Sequence, residues 1–317
     1  VRIGVLIRTF NRPELLVQSL ASLSLQTVDD WEVIIFDDMG SQENFNIYRQ
    51  FKKSNPTKRI VYVTSMEARD FYKHFWRCSS SLSKSDVLVK LDDDDLLSRD
   101  CLEFLLSVYE NHPEIDFTYG STFRFQDDKL VGQEECKTPH DHPPTPHAWA
   151  GYLAGPPYNN PWHWEHDYYQ IPQLYSSIIH ASKAGRFCVF NPQVFRKSSV
   201  EKISNKIDIT SNWADDLEFC AILEYLGLCY TSIKKKIAYY RHHNLERVTS
   251  DSLMADDVVR VRDYVDTKFR PENFSPNIYT KNIEGNNWTG QFTQNDSEDF
   301  SIFLNQINDK INSIFKI

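Results

Sequence analysis

The sequence has no basic stripe: its longest basic run, Lys234 to Lys236, is three residues long. With a net charge of −9 and a pI near 5.6, it lacks the surface that a nucleic-acid backbone requires. No apolar run approaches the ~18 residues of a membrane-spanning helix, and no signal-like segment follows the N-terminus. The chain begins at Val1 rather than Met, as an excised domain of a longer protein would. Its six cysteines, Cys78, Cys101, Cys136, Cys188, Cys220 and Cys229, include no CxxC pair. They read as reduced thiols, which points to a cytoplasmic chain, either free or peripheral to a membrane. No internal repeat is found. No glycine-rich loop follows the first apolar strand, where a triphosphate-binding chain would need one; Thr9-Phe10-Asn11-Arg12-Pro13 stands there instead.

What is present is an alternation. Arg2 to Thr9 is a compact apolar strand, after which Asn11 can cap and Pro13 begin a helix with Leu15, Leu16, Ser19, Leu20 and Leu23 on one face. Trp31 to Phe36 is a second strand, stopping at Asp37 and Asp38. Arg59 to Val63 is a third, preceding a helix from about Glu67 to Ser81. Val87 begins the fourth, and Ser98 can cap the helix after it, which ends at Asn111-His112-Pro113. Strand and helix repeated four times, with acids at the same end of two strands, predict a doubly wound parallel sheet with its ligand along one edge.

Beyond Phe117 the pattern changes. Phe117 to Phe125 reads as a strand and Gln126 to Lys129 as a turn. Eight prolines, with several histidines and tryptophans, lie between Thr138 and Pro172, and predict an ordered loop that shapes a binding surface. Arg186 to Phe190 reads as a strand, Pro192 to Ile203 as a helix, and Asp215 and Asp216 open another helix that ends at Gly227. Cys229 to Ile233 and Ile237 to Tyr240 read as two strands. Helices are expected over Leu253 to Tyr264 and Ser297 to Phe315.

The stretch that organises the rest is Val87 to Leu97, VLVKLDDDDLL. Four carboxylates in a row, Asp92 to Asp95, repel one another unless something positive sits among them, and a divalent cation is the obvious candidate. The alternative is a solvated acidic turn that caps the next helix.

Together, IRTFNRPELLVQSLASLSLQTVDDWEVIIFDDMGS and VLVKLDDDDLLSRDCLEFLL resemble the nucleotide-sugar-binding half of the inverting family-2 glycosyltransferases of the GT-A fold. In that family a T-Y-N-R first turn, a Q-T before the second strand, a D-D-x-S at its end and an L-D-x-D-D at the fourth strand recur in this order. The resemblance covers roughly residues 1–245. It implies a GT-A-like (Rossmann-like) α/β fold, a doubly wound mixed sheet with a C-terminal, mostly helical extension. Residues 1–120 would form the nucleotide-sugar half, 121–245 the acceptor half, and 246–317 the extension.

The resemblance also implies roles. Thr9, Phe10 and Arg12 would line the base, Asp38 (or Asp37) would accept the uracil N3 proton, and Arg69 would contact the nucleotide. Asp92 and Asp94 match the D-x-D pair, Asp95 is an extra acid, and Asp93 fills the x and is grouped with the donor-binding residues. Asp94, Asp95 and His243, the last in Tyr240-Arg241-His242-His243, would form the shell of a Mn²⁺ or Mg²⁺ ion, with His242 as the fallback. Asp216 matches the base that activates the acceptor, and Asp215 stands beside it. Asp70 stands where the family often has Asn.

The implied partners are a nucleotide-sugar donor, most simply UDP-linked, and a glycan or glycoconjugate acceptor, as in polysaccharide biosynthesis. No nucleic acid and no membrane span are expected, and the C-terminal extension could carry an oligomer contact. Two rivals stay open on the sequence: a nucleotidyltransferase, and a non-catalytic carbohydrate- or Ca²⁺-binding module in which the acidic run is structural.

Overall fold

A computed structural model describes residues 1–66, 70–134, 192–204, 215–242, 260, 264–265, 267–269, 271, 277–287 and 292–315. Its first half is the expected alternation: β1 (Ile3–Thr9), α1 (Pro13–Ser24), β2 (Trp31–Asp37), α2 (Gln42–Ser54), β3 (Arg59–Thr64), α3 (Asp70–Leu82) and β4 (Val87–Asp92). The four strands are parallel, in the order β3-β2-β1-β4. They read as nearly continuous apolar runs because both faces of the sheet are covered. On one face Val5, Ile7, Val33, Ile35, Val89 and Leu91 pack against Leu16 and Leu20 of α1 and Phe51 of α2. On the other, Leu6, Ile34, Phe36 and Leu88 meet Phe75 and Trp76 of α3.

The start of α1 differs from expectation. Pro13 holds its first turn, but Arg12 occupies the N-cap position and makes no side-chain cap bond. Asn11 takes the left-handed conformation instead, at φ 51°, which asparagine tolerates and which turns the chain sharply off β1. Helix α2 is capped by Ser41, whose hydroxyl accepts from Asn44 N–H at 3.0 Å.

After β4 come β5 (Leu96–Leu97), α4 (Cys101–Asn111), β6 (Phe117–Gln126), β7 (Lys129–Glu134), β8 (Gln193–Arg196), α5 (Lys197–Ser204), α6 (Asp215–Tyr225) and β9 (Tyr230–Arg241). The sheet continues β4-β8-β6-β9-β5, with β7 on the side of β6. Strand β8 runs antiparallel to both β4 and β6, while β6 and β9 are parallel, so the sheet is mixed.

Three local expectations are corrected here. Residues 193–196 are a strand and not the start of a helix, because Val194 and Phe195 are buried on opposite faces between β4 and β6; the helix begins only at Lys197. The two strands expected around Lys234 to Lys236 are one strand, β9, and register shifts at Ser121 of β6 absorb the irregularity. Ser98 does not cap α4: Asp100 holds the N-cap position without a side-chain cap bond, and the Ser98 hydroxyl donates to Asp100 Oδ1 at 3.1 Å. The turn after β6 is found as expected, with Asp127 at φ 53°.

The last element, α7 (Gln294–Ile314), opens with a capping box between Thr293 and Asp296. Its Phe300, Phe303 and Ile307 pack with Ala21, Leu96, Phe125 and Leu130. Just beyond it Phe315 stacks on Phe51 of α2, centroids 6.2 Å apart. Each such buried aromatic stabilises docking by about 1.5–3 kcal/mol. No helix among the described residues is long and apolar enough to cross a membrane. The strand read at 186–190, the loop at 138–172 and most of the helix at 253–264 lie outside the described residues.

Candidate active site

Parallel register places the functional residues. Thr9 ends β1 opposite Asp37 of β2, and Arg8 lies opposite Asp92 of β4. Asp38 N–H donates to the Thr9 carbonyl at 2.9 Å, closing the two strand ends together. Thr9, Asp37, Asp38 and Asp92 therefore share one carboxyl-terminal edge, the ligand edge of an open α/β sheet.

The four acids form a turn between β4 and β5, with Asp95 N–H donating to the Asp92 carbonyl at 3.2 Å. The turn sorts them. Asp92, Asp94 and Asp95 each offer an oxygen, and the three atoms lie within 4.8 Å of one another. Asp93 stands apart from that trio, buried beside Arg12, whose Nη1 is 3.3 Å from Asp93 Oδ1 and 3.0 Å from Asp94 Oδ2. Burial, and then the charge of Asp94, push the Asp93 carboxyl up to about 7 against the pull of Arg12. Burial disfavours the Arg12 cation, but Asp93, Asp94 and Asp92 together more than offset this and raise its pKa.

Two further cations reach the turn. Lys90 Nζ, in a side chain 1% exposed, donates to Asp92 Oδ1 at 3.0 Å. Arg241, at the end of β9, gives its backbone N–H to Asp95 Oδ1 and its Nε to the Asp94 carbonyl, both at 2.9 Å. Among the described residues, three cations surround the four carboxylates, which explains why the run folds. The donor set fits a hard divalent cation: three carboxylate oxygens and no sulfur. Asp93 Oδ2 is buried with no hydrogen-bond partner among the described residues.

At the end of β2 the two acids differ. Asp37 Oδ2 accepts from Ser41 N–H at 3.0 Å and from the Tyr62 hydroxyl, contacts that tie it to the start of α2. Its Oδ1 is buried with no partner among the described residues. Burial and the bond to Asp37 raise the Tyr62 pKa, so the phenol stays a donor. Asp38 Oδ1 accepts from the Ser65 hydroxyl at 2.8 Å, and Ser65 Oγ accepts from Met39 N–H at 3.0 Å. The turn needs left-handed backbone at Met39 (φ 67°) and Gly40 (φ 58°), and a Cβ on Gly40 would come within 2.9 Å of Thr64. Phe10 is 53% exposed beside this edge, free to meet a planar ligand.

The structure thus brings together Thr9, Arg12, Asp37, Asp38 and Asp92 to Asp95. Asp215 and Asp216 are the first two residues of α6, and their side chains lie outside the described ones, as do Arg69 and His243 altogether. Three residues escaped the sequence reading, Lys90, Tyr62 and Ser65, and Arg241 was read only as part of Tyr240-Arg241-His242-His243, with no role of its own. Lys90 carried a signal, being the one charge in an apolar strand, two residues and so one face from Asp92. The others meet the acids only through the fold.

A mixed sheet flanked by helices, with clustered acids on one carboxyl edge, defines an α/β protein of the GT-A type. Residues 4–198 match Glycosyl transferase family 2, and the chain belongs to that family. Among solved structures it is similar to Staphylococcus aureus TarS residues 1–349 in complex with UDP-GlcNAc, at 13% identity and TM-score 0.57, covering 86% of this chain and 68% of that one. It is also similar to the mannosyltransferase PcManGT of Pyrobaculum calidifontis in complex with GDP-Man and Mn²⁺, at 14% identity and TM-score 0.50, covering 77% and 58%. At these identities the likeness concerns the fold alone. Among curated relatives, an uncharacterized glycosyltransferase of Haemophilus influenzae is 32% identical over 117 residues, 37% of each chain. The uncharacterized protein y4gI of Sinorhizobium fredii is 28% identical over 140 residues, 42% of this chain and 14% of its own length. The chain thus spans well under half the length of these curated relatives.

Proposed function

We propose that the chain is an inverting glycosyltransferase that moves a sugar from a nucleotide-diphospho-sugar, UDP-linked, to a hydroxyl of a glycan or related acceptor. The observation that carries this is the placing of three carboxylate oxygens within 4.8 Å on the edge where β1 and β2 also end. Family membership favours it over a nucleotidyltransferase or a carbohydrate-binding module.

In this reading Asp38 accepts a hydrogen bond from N3–H of the uracil ring, Thr9, Phe10 and Arg12 line that ring, and Arg69 contacts the nucleotide. Asp92, Asp94 and Asp95, with His243, would hold Mn²⁺ or Mg²⁺. Such an ion, when bound, neutralises the charge that grows on the diphosphate. Asp216 takes the proton of the acceptor hydroxyl as its oxygen bonds to the anomeric carbon and the bond to the diphosphate oxygen breaks; the nucleoside diphosphate leaves with the electron pair. Attack from the far side inverts the anomeric centre. Residues 1–120 serve the donor, 121–245 the acceptor, and 246–317 an extension.

The test is a thermal-shift screen of nucleotides and sugar nucleotides with and without Mn²⁺. UDP or a UDP-sugar should raise Tm only when Mn²⁺ is present, since a ligand that binds only the native state stabilises it. A rise with Ca²⁺ alone, to which UDP and Mn²⁺ add nothing, would refute the reading.

A further inference from the structure

The acidic turn is held from one side by its own strand and from the other by Arg241. Strand β4 delivers Asp92, and β5 turns back to pair with β9, Leu96 opposite Tyr239 and Leu97 opposite Ala238. Arg241, the last residue of β9, lies two residues beyond that pairing. Its backbone N–H holds Asp95 Oδ1 at 2.9 Å, its Nε holds the Asp94 carbonyl at 2.9 Å, and its Nη2 donates to Gln18 Oε1 of α1 at 2.8 Å. The guanidinium also lies 4.4 Å from the ring centroid of Phe125 on β6. That ring is backed in turn by Phe300 of α7, centroids 5.1 Å apart. One side chain and its own amide thus tie the turn to α1, β6 and, through Phe125, the C-terminal helix.

We propose that Arg241 is the positioning residue of the acidic turn, holding Asp94 and Asp95 so that the three carboxylate oxygens converge before any cation arrives. This rests on the reading of those carboxylates as cation ligands. Arg241 touches neither reacting atom nor donor in this role; it acts through Asp94 and Asp95. Left alone, adjacent carboxylates splay apart to relieve repulsion, and a site that must first gather them binds its cation more weakly. The job needs arginine and not merely a positive charge. Two fixed N–H directions serve two acceptors on different elements while the guanidinium lies over the Phe125 ring, and a lysine ammonium cannot do all three.

The test compares the whole chain with Arg241→Met, Arg241→Lys and Gln18→Leu by amide hydrogen exchange and by Mn²⁺ titration without nucleotide. Both Arg241 variants should speed exchange across residues 93–97 while exchange in β1 and β2 stays as in the wild type. Both should also weaken Mn²⁺ binding by about 10–100-fold, the usual effect of losing a residue that orients metal ligands. Gln18→Leu, which removes one anchor and keeps the arginine, should give a smaller change of the same sign. It carries the comparison together with Arg241→Lys if the methionine variant does not fold. Wild-type exchange over residues 93–97 in Arg241→Lys would overturn the proposal. If the wild-type chain binds no Mn²⁺, the metal reading falls, and the exchange comparison alone decides whether Arg241 holds the turn.

Discussion

Lys90 Nζ lies 3.0 Å from Asp92 Oδ1, with the lysine side chain 1% exposed and the aspartate 35%. The asymmetry in exposure makes the two halves of the pair unequal. Asp92→Ala leaves a buried ammonium without this carboxylate, a loss of up to about 3–5 kcal/mol for a fully buried pair, reduced here by the solvent around Asp92 and by relief of repulsion in the turn. Lys90→Met removes the buried charge and lets Asp92 hydrate. Urea unfolding should therefore find Asp92→Ala the more destabilised variant, and the opposite order would show that the lysine is not held by this acid.

Asp94 is shared between Arg12 and the carboxylate trio. Asp94→Ala should remove the effect of Mn²⁺ on nucleotide binding. A Mn²⁺-dependent rise in Tm that survives in this variant would place the cation elsewhere.

Asp216→Asn should leave UDP affinity as in the wild type and cut turnover by about 10²–10⁴-fold, the range for loss of a general base. Turnover at the wild-type rate removes Asp216 from the mechanism.

Glu32, fully buried on the opposite edge of the sheet, supplies a pH dependence independent of the site. Burial alone would raise its pKa. Bonds from the Ser83 and Ser85 hydroxyls, from Arg59 Nη1 at 2.7 Å and from Lys84 N–H at 2.7 Å outweigh this and hold it below the ordinary 4.5. A carboxylate whose folded pKa is depressed stabilises the fold above its unfolded value and loses that contribution as pH falls through the folded one. Denaturation from pH 7 down to pH 3 should show Glu32→Gln less stable at neutral pH and flatter in acid. Parallel curves for the two proteins would contradict the assignment.

Trp76 joins α3 to α6 and β8, its ring 4.4 Å from Phe219 and 4.6 Å from Phe195. Trp76→Ala should cost about 3–5 kcal/mol, seen as a lower denaturation midpoint. A loss below 1 kcal/mol would mean that the surrounding rings close over the gap.

The alternation of β1 to β4 with the helices that follow them, and the placing of acids at strand ends, follow from the sequence alone, whereas the two-residue β5 was not legible there. Apolar residues at spacings of two and of three to four settle strand or helix within a few residues, and an acid after an apolar strand must leave the core. Local pattern could not show that residues 193–196 are a strand, because four apolar and polar residues fit either period and only insertion between β4 and β6 decides. Nor could it sort the four aspartates. Asp93 turned to the Arg12 guanidinium, 81 residues away, and Asp95 to the Arg241 backbone N–H, 146 residues away. Both contacts act through space, so which donor meets which acid was decided by strand order and turn geometry, properties that no stretch of chain possesses before it is folded.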